Sequence, residues 1–374
     1  MSHKPGLYIH IPFCRSKCNY CSFYSISSLS LLDRFIEYLP KEMEMYRGFG
    51  TFDSVYFGGG TPSVLSMTQL ETVMAAVRSN FDIAEDAEIT FEANPADIDF
   101  SYLLGLGKSG FNRLNIGVQS FDETILRFLE RRHSPGEASS AITAARFAGF
   151  GNLGIDLIYG VPGQTAESWR ETLDQALTYS PEHLSCYQLS MDEGTPLGEK
   201  LREGLVVPPD KETEYYFFIL TSELLTAAGY IHYEVSNFAK KASLESKHNR
   251  KYWDHAPYLG IGPAAHSFSD GRRWWNFRSV DRYMDALRQG MPPREGEEIL
   301  TPDQLRTEAL FLGLRTGRGI QIDQFNRRHA DDLIGAKRCL VGKLEKEGLL
   351  SVQDGFLKPT LRGLAVADAL AACL

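Results

Sequence analysis

Strand-like and helix-like segments alternate along roughly the first 230 residues, and this alternation constrains the fold more than any other feature. Each strand-like run is almost continuously apolar, which is typical of a strand that is buried on both faces. The six runs lie at residues 7–13, 54–60, 88–94, 113–120, 153–160 and 183–190. Segments with helical periodicity lie between them, at 66–79, 100–109, 136–149 and 166–179. Six units of this kind predict an α/β fold in which helices cover a parallel sheet.

The pattern changes after residue 235. Residues 236–278 are polar, rich in aromatic residues and histidine, and irregular, and the acidic stretch 290–298 is typical of a linker. Segments 302–315 and 330–347 are helical in pattern, and a hairpin with Asp354 and Gly355 at its turn follows. We therefore predict a core at 1–235, a connecting region at 236–290, and a small α+β, winged-helix-like domain at 291–374.

The composition limits the class of protein. Hydrophobic residues make up 43% and charged residues 23% of the chain, as in globular proteins, and the net charge of −9 argues against a nucleic-acid partner. The N-terminal apolar run is too short for a signal peptide, and no stretch approaches the ~18–20 apolar residues of a membrane helix. Six cysteines, three of them clustered, fit a reducing compartment. We expect a cytoplasmic protein.

Cys14, Cys18 and Cys21 form a CxxxCxxC cluster directly after the first predicted strand. Three thiolates on one loop can hold three irons of a [4Fe–4S] cluster, which leaves the fourth iron open to an outside ligand. The alternatives are a structural zinc site, a disulfide or three unrelated thiols. Zinc usually requires a second Cys or His pair at motif spacing, and none follows. An odd number of cysteines on one loop suits disulfides poorly.

CxxxCxxC after a first strand resembles the radical S-adenosylmethionine (SAM) superfamily, in which the open iron binds SAM. The segments YIHIPFC, FGGGTPS, FEANP, NIGVQSF and DLIYGVPGQT are similar, in this order, to the oxygen-independent coproporphyrinogen III oxidase family. HNRKYW at 248–253 resembles the HNxxYW signature of the haem-chaperone branch of that family. The resemblance implies that the predicted sheet is an open, partial (β/α)6 barrel.

The resemblance also implies a SAM site at the C-terminal ends of the strands, where barrel active sites form. Glu92 and Asp156 are acids in apolar strands, and each is either exposed at an edge or aimed into the barrel mouth, because burying an unpaired carboxylate is costly. The resemblance implies the barrel mouth. Arg131 could grip the SAM carboxylate through two parallel hydrogen bonds, whereas Arg132 is expected at the surface. The implied SAM-site residues are Tyr8, Tyr20, Gly59, Gly60, Thr61, Glu92, Gln119, Arg131, Asp156, Ile158 and Ser190.

The glycines of the FGGGTP segment lack a Cβ atom, so the backbone can approach a ligand closely, although a glycine triplet is otherwise an ordinary turn. A side chain placed at Gly59 or Gly60 is therefore expected to weaken SAM binding and to spare the cluster. Ile158 and Ser190 match family positions near a second SAM or substrate pocket. Tyr8 and Tyr20 are expected to pack against the cofactor.

The HNRKYW motif is the second candidate site. A histidine can ligate haem iron axially, and tyrosine or tryptophan can pack on a porphyrin face, although a histidine beside aromatic residues is often only a hydrogen-bonded core residue. The resemblance assigns haem binding to His248, Asn249, Tyr252 and Trp253. His10 and His266 are weaker candidates that could also face the barrel mouth.

The resemblance therefore implies a haem chaperone that binds haem, one cluster and SAM. Its expected partners are a haem-acceptor protein at the inner face of a membrane and an electron donor for the cluster. A homodimer is a possible assembly. One alternative is a coproporphyrinogen III oxidase. Phe23 stands where that enzyme has a further cysteine, and the chain begins seven residues before Tyr8, without the oxidase's long N-terminal extension. A third interpretation is a radical SAM enzyme that modifies RNA; the acidic charge counts against it.

Replacing any one of Cys14, Cys18 and Cys21 with alanine should abolish the absorbance and the EPR signal of a reconstituted [4Fe–4S] cluster, because these thiolates are the soft ligands of that loop. Simultaneous replacement of the scattered Cys186, Cys339 and Cys373 is the control and should leave both signals intact. A cluster that survives the single changes and disappears in the control would refute the assignment.

Overall fold

The structure, a computed structural model that describes residues 4–335 and 337–374, contains a 12-stranded sheet. Its strands, in chain order, are β1 (Gly6–Ile11), β2 (Thr51–Gly59), β3 (Asp82–Ala93), β4 (Arg113–Gln119), β5 (Leu153–Tyr159), β6 (His183–Gln188), β7 (Ile231–Glu234), β8 (Asn237–Ala239), β9 (Tyr258–Ile261), β10 (His266–Ser269), β11 (Arg272–Asn276) and β12 (Arg294–Ile299). Their order in the sheet is β12-β11-β10-β9-β1-β2-β3-β4-β5-β6-β8-β7.

Strands β1 to β6 pair in parallel and in chain order, as the alternation of strand and helix signals predicts. The helices of this half are α1 (Leu32–Met45), α2 (Met67–Asn80), α3 (Phe100–Lys108), α4 (Glu123–Phe128), α5 (Pro135–Phe147), α6 (Ala166–Thr178), α7 (Pro196–Arg202) and α8 (Lys211–Ala227). Helices α2, α5 and α6 begin with capping boxes at Ser66, Ser134 and Thr165, whose side chains satisfy backbone N–H groups of the first turn. The predicted α/β fold is confirmed.

The sheet stays open on both sides of the parallel strands. Strand β1 has β9 as its second neighbour, and β6 pairs with β8, so within the described residues β1 and β6 do not pair with each other. The barrel is therefore partial, as expected. Its open side lies between the two ends of the sheet, the end at β7 and the end at β12.

Two expectations about the connecting region are wrong. Residues 236–278 are not irregular, because β8, α9 (Lys247–Trp253), β9, β10 and β11 occupy much of this stretch. Residues 294–299 are not a linker but strand β12, which pairs with β11 after helix α10 (Val280–Arg288). The glutamates of β12 lie at a sheet edge, where alternate side chains can point into solvent, so a charged sequence is compatible with a strand.

The C-terminal part has its own three-stranded antiparallel sheet and its own apolar core. Its elements are α11 (Pro302–Gly313), β13 (Ile320–Gln321), α12 (Ile322–His329), α13 (Arg338–Lys346), β14 (Leu350–Gln353), β15 (Phe356–Pro359), α14 (Leu361–Leu364) and α15 (Ala367–Cys373). The order helix, strand, two helices and hairpin is that of a winged helix. Asp354 and Gly355 have positive φ at the hairpin turn, as predicted. The helix expected at 330–347 begins only at Arg338, and α12 precedes it.

Glu42 of α1 joins the parallel strands to the added ones. Its carboxylate is fully buried and accepts hydrogen bonds from Gly262 N (2.8 Å), Asn276 Nδ2 (2.6 Å) and the Tyr283 hydroxyl (2.6 Å). Burial raises the pKa of Glu42 to about 7, and the hydrogen bonds from Tyr283, Gly262 and Asn276 oppose this rise. Glu42 thereby fixes the turn before β10 and the end of β11 against α1.

Among the described residues, no helix combines the length and the apolar character that crossing a membrane requires.

Candidate functional site

The cysteine loop leaves the C-terminal end of β1 and is closed at its base by backbone hydrogen bonds. Cys14 N donates to Ile26 O (3.0 Å), and Ile26 N donates to Pro12 O (2.8 Å). Within the loop, Cys21 N donates to Cys18 O (3.2 Å). The segment that carries the three cysteines therefore starts and returns at one fixed point of the sheet.

Two of the three thiols have hydrogen-bond donors. Thr61 Oγ1 donates to Cys14 Sγ (3.2 Å), and Arg131 Nη1 donates to Cys18 Sγ (3.3 Å). Within the described residues no three His, Cys, Asp or Glu side chains converge on one metal position. A cubane cluster bound at three corners does not require that convergence, so the loop fits a cluster.

A cavity of about 380 Å³, which we call the first cavity, opens beside the cysteine loop. It is lined at the C-terminal ends of β2 to β6, the edge that the sequence indicates. Ten of the eleven residues assigned to SAM line it: Tyr20, Gly59, Gly60, Thr61, Glu92, Gln119, Arg131, Asp156, Ile158 and Ser190. Tyr8 does not line this cavity and lies in a neighbouring one.

Glu92 and Asp156 bring two carboxylates into the first cavity. The Tyr56 hydroxyl donates to Glu92 Oε1 (2.6 Å), and Asn115 Nδ2 donates to Asp156 Oδ2 (2.5 Å), whereas Asp156 Oδ1 is buried without a partner among the described residues. Burial raises the pKa of Glu92 to about 7. The hydrogen bond from Tyr56 lowers this pKa, and the nearby carboxylate of Asp156 raises it further. Burial also raises the pKa of Asp156. Two such carboxylates favour a cationic ligand.

Gln119 reaches the cavity from the end of β4, and Arg131 reaches it from the loop that follows α4. Gln119 has a φ of 68°, which is uncommon for residues other than glycine. It lies at a break in the β4–β5 register, and such a break changes the direction of the side chain. Arg131 donates from Nη1 to Cys18 and from Nη2 to Gly117 O (2.7 Å). Its Nε is buried and has no partner among the described residues. Two of the five N–H groups of Arg131 are therefore in use, and the expected two-bond grip on a carboxylate would use the Nε–H and a remaining N–H of a terminal nitrogen.

Gly59 is the last residue of β2 and Gly60 follows it, and neighbouring atoms leave no room for a side chain at either position. A Cβ atom at Gly59, whose φ is +110°, would lie 2.6 Å from the His10 ring, and one at Gly60 would lie 2.7 Å from Phe13 O. Phe13 directly precedes Cys14, so a side chain at Gly60 would displace the start of the cysteine loop. We therefore expect a side chain at Gly60 to disturb the cluster as well as SAM binding, whereas the effect at Gly59 on the cluster stays as predicted from the sequence.

Asp97 ties the cysteine loop to the barrel, and sequence reasoning missed it. Its side chain is only 1% exposed and is paired with Arg15 of the loop (3.1 Å) and with Arg132 (2.6 Å). Arg132 is thus half-buried in an ion pair, not the surface residue that we expected. The acid in FEANPAD could have been suspected because it follows a strand end, but nothing in the sequence names its partners.

A larger cavity of about 710 Å³, the second cavity, lies on the open side of the barrel. Its lining includes the aromatic residues Tyr8, Phe23, Tyr24, Tyr56, Tyr187, Tyr252, Tyr258 and Trp275 and the histidines His10, His248 and His266. Ser22, Phe23, Glu92 and Tyr187 line both cavities. The two cavities therefore share one wall, and Phe23, 66% exposed, lies in it. Sequence reasoning did not identify Tyr56 or Tyr187.

Helix α9 carries the HNRKYW motif and splits it between two cavities. His248, Asn249 and Tyr252 line the second cavity. Trp253 lines a different one, of about 420 Å³, which we call the interdomain cavity and which also contacts Arg328 of α12. Residues 248 and 252 share a helix face because they are four apart, whereas residue 253 is turned about 100° further. Trp253 is therefore not beside His248, as the assignment of both to one haem site required.

His248 is 1% exposed, and both of its ring nitrogens have partners. Nδ1 lies 3.1 Å from Ser54 Oγ and Nε2 lies 3.0 Å from the Tyr252 hydroxyl. Burial lowers the pKa of His248 to about 3, so the ring is neutral. Coordination of a metal through either nitrogen requires one of these hydrogen bonds to break.

Comparisons with known proteins agree with this geometry. The sequence matches the Radical SAM superfamily over residues 8–176 and the HemN C-terminal domain over residues 300–366. The heme chaperone HemW of Mycobacterium tuberculosis is 34% identical over 98% of this chain and 93% of its own length. The heme chaperone HemW of Escherichia coli is 38% identical over 71% of each chain. The structure of coproporphyrinogen III oxidase (HemN) from E. coli aligns with a TM-score of 0.85 and 25% identity, covering 99% of this chain and 90% of that one.

Replacing Asp97 with alanine should loosen the cysteine loop, because removal of a buried carboxylate leaves two guanidinium groups without a counter-charge. Iodoacetamide should then alkylate Cys14, Cys18 and Cys21 of the cluster-free protein severalfold faster, as peptide mass spectrometry can measure. The exposed Cys339 serves as the internal reference, and Asp82→Ala, at an exposed acid of β3, is the matched control. Equal rates in both variants would contradict the role of Asp97.

Proposed function

This chain belongs to the HemW family of radical SAM proteins, and we propose that it binds haem and delivers it to an acceptor protein. The observation that carries the proposal is the second cavity. Its volume of about 710 Å³ lies within the range of about 300–1,000 Å³ that is usual for cofactor and ligand pockets. Its many aromatic side chains suit the flat, apolar faces of a porphyrin.

Phe23 is the residue that favours haem binding over oxidase chemistry. It follows Cys21 by two positions, where the oxidase motif has a further cysteine, and it presents an exposed phenyl ring to both cavities. An aromatic ring at this position adds apolar surface for a porphyrin and removes a thiol. Neither the oxidase alternative nor the RNA-modifying alternative gains support from the relatives, which include heme chaperones.

The first cavity supports binding of a [4Fe–4S] cluster and SAM. Cys14, Cys18 and Cys21 would hold the cluster, which supplies an open iron and one-electron chemistry when bound. Glu92 and Asp156 would face the positive charges of SAM, and Tyr56 and Asn115 orient these two carboxylates. Arg131 would hold the Cys18 thiolate against the end of β4.

The acceptor can reach the cavities from the side of the loop after α7. Leu205 and Val207 in this loop are 71% and 78% exposed, while Val206 between them packs against the apolar cluster that contains Ile158 and Leu189, two residues that line the first cavity. We include these two exposed apolar side chains in the surface proposed to contact the acceptor. The proposal also includes an electron donor for the cluster, a homodimer, and an acceptor at a membrane surface, which a cytoplasmic chaperone would approach from the inner face.

Replacing Glu92 with glutamine or Asp156 with asparagine should weaken SAM binding and leave the cluster absorbance unchanged, because each change removes a negative charge from the first cavity. Calorimetry on the reconstituted protein measures the affinity, and Glu85→Gln, an exposed position of the same strand, is the control. In the unmodified protein SAM affinity should rise as the pH rises through about 7, the pKa of Glu92, because the ionised form attracts the cation. Unchanged affinity in both variants would mean that this cavity is not the SAM site.

The reconstituted protein should bind about one haem per chain, as one axial-ligand site provides, and should not convert coproporphyrinogen III in the presence of SAM and a reductant. Phe23→Ala should weaken haem binding because the porphyrin loses an aromatic contact. Phe147→Ala is the matched control, since that phenyl ring is 77% exposed on α5. Haem titrations followed by absorbance measure the first effect. Protoporphyrinogen production would refute the chaperone function.

A further inference from the structure

The three histidines of the second cavity differ in what their ring nitrogens contact. His10 Nε2 lies 2.9 Å from Tyr24 O, and His10 Nδ1 lies 3.1 Å from the Tyr8 hydroxyl. His248 is held at both nitrogens by Ser54 and Tyr252, as described above. Within residues 4–335 and 337–374, neither ring nitrogen of His266 has a hydrogen-bond partner, and its side chain is exposed to the cavity. His266 is therefore the histidine of this cavity whose ring nitrogen can coordinate a metal without breaking an existing hydrogen bond.

The imidazole plane of His266 is set by its neighbour across the sheet. His266 is the first residue of β10 and lies opposite Trp275 of β11. The two rings stack with their centroids 5.8 Å apart and their planes inclined by 24°. Both rings line the second cavity, and the indole lies beside one face of the imidazole. A ligand held in one orientation loses less entropy on coordination than a freely rotating one.

The backbone that presents His266 is held firmly. Ala265 N donates to Gly262 O (3.2 Å), and Asn276 N donates to Ala265 O (3.0 Å), so the residues before His266 are tied to the end of β11. The buried Glu42 carboxylate accepts hydrogen bonds from both sides of this turn, from Gly262 N and Asn276 Nδ2. A histidine on such a support can serve as a precise ligand.

We propose that His266 supplies the axial nitrogen to the iron of a haem bound in the second cavity. The inference rests on the proposed haem-binding function and deepens it by naming the ligand. His248 then has a positioning role, because it joins α9 to Ser54 of β2 and forms part of the cavity wall.

The test is a haem titration of the full-length chain followed by optical and EPR spectroscopy of the ferric state. His266→Ala should lose the spectrum of nitrogen-ligated haem, and added imidazole should restore it by entering the space that the side chain leaves. His248→Ala should keep the nitrogen-ligated spectrum, with weaker binding at most. His329→Ala, at a half-buried histidine of α12 that lines the interdomain cavity, is the matched control and should behave as the unmodified protein.

The outcomes separate this inference from the proposed function. If the unmodified chain binds haem and His266→Ala keeps its spectrum, or if His248→Ala alone loses the nitrogen-ligated spectrum, the ligand assignment is overturned and haem binding stands. If the unmodified chain binds no haem at all, the proposed function fails and the ligand assignment fails with it. Recovery of the spectrum of His266→Ala by imidazole also shows that the variant is folded around an intact cavity.

Discussion

The parallel pairing of β1 with β2 continues beyond both strands, and the rest of the site depends on this extension. Gly60 N donates to Ile11 O and Thr61 N to Phe13 O, each at 2.8 Å, so the glycine turn is aligned with the residues that lead into Cys14. The Thr61 hydroxyl then donates to the Cys14 sulfur. No space remains for a Cβ atom at Gly60, because the two chains are already in backbone contact. The backbone ladder thereby places the cysteines and the glycine turn at one point, before any cofactor is bound.

The incomplete barrel explains why a second cavity exists beside the first. A closed barrel would pair β1 with β6, but here β9 occupies that edge of β1. Along β1, Leu7, Ile9 and Ile11 are fully buried in the core, whereas the alternate residues Tyr8 and His10 face the second cavity. Strands β10 and β11 and helix α9 complete the wall. A porphyrin in this cavity would lie against Phe23, Glu92 and Tyr187, which also line the proposed SAM site. Cluster, SAM and haem would then share one mouth.

The sequence predicted the parallel strands and ten residues of the first cavity, because both follow from local patterns: apolar runs, and polar residues or glycines at strand ends. It did not predict contacts between distant segments. Glu42, Asp97 and Tyr56 are unremarkable in the sequence, since their partners described above lie from 35 to 241 positions away. Strand β12 was missed because an edge strand with alternating glutamates has the composition of a linker. Trp253 was misplaced because a linear motif does not show which helix face each residue occupies. The ligand role of His266 required knowledge of the hydrogen-bond partners of all three histidines.

The most direct test of the account is to locate the haem iron in crystals of the full-length protein that carry both cluster and haem. An anomalous difference map recorded at the iron absorption edge shows each iron position without reference to the protein chain. The account predicts one feature at Cys14, Cys18 and Cys21 and a second in the second cavity, beside the imidazole of His266. A second iron feature in the interdomain cavity, next to Trp253 and Arg328, would contradict it.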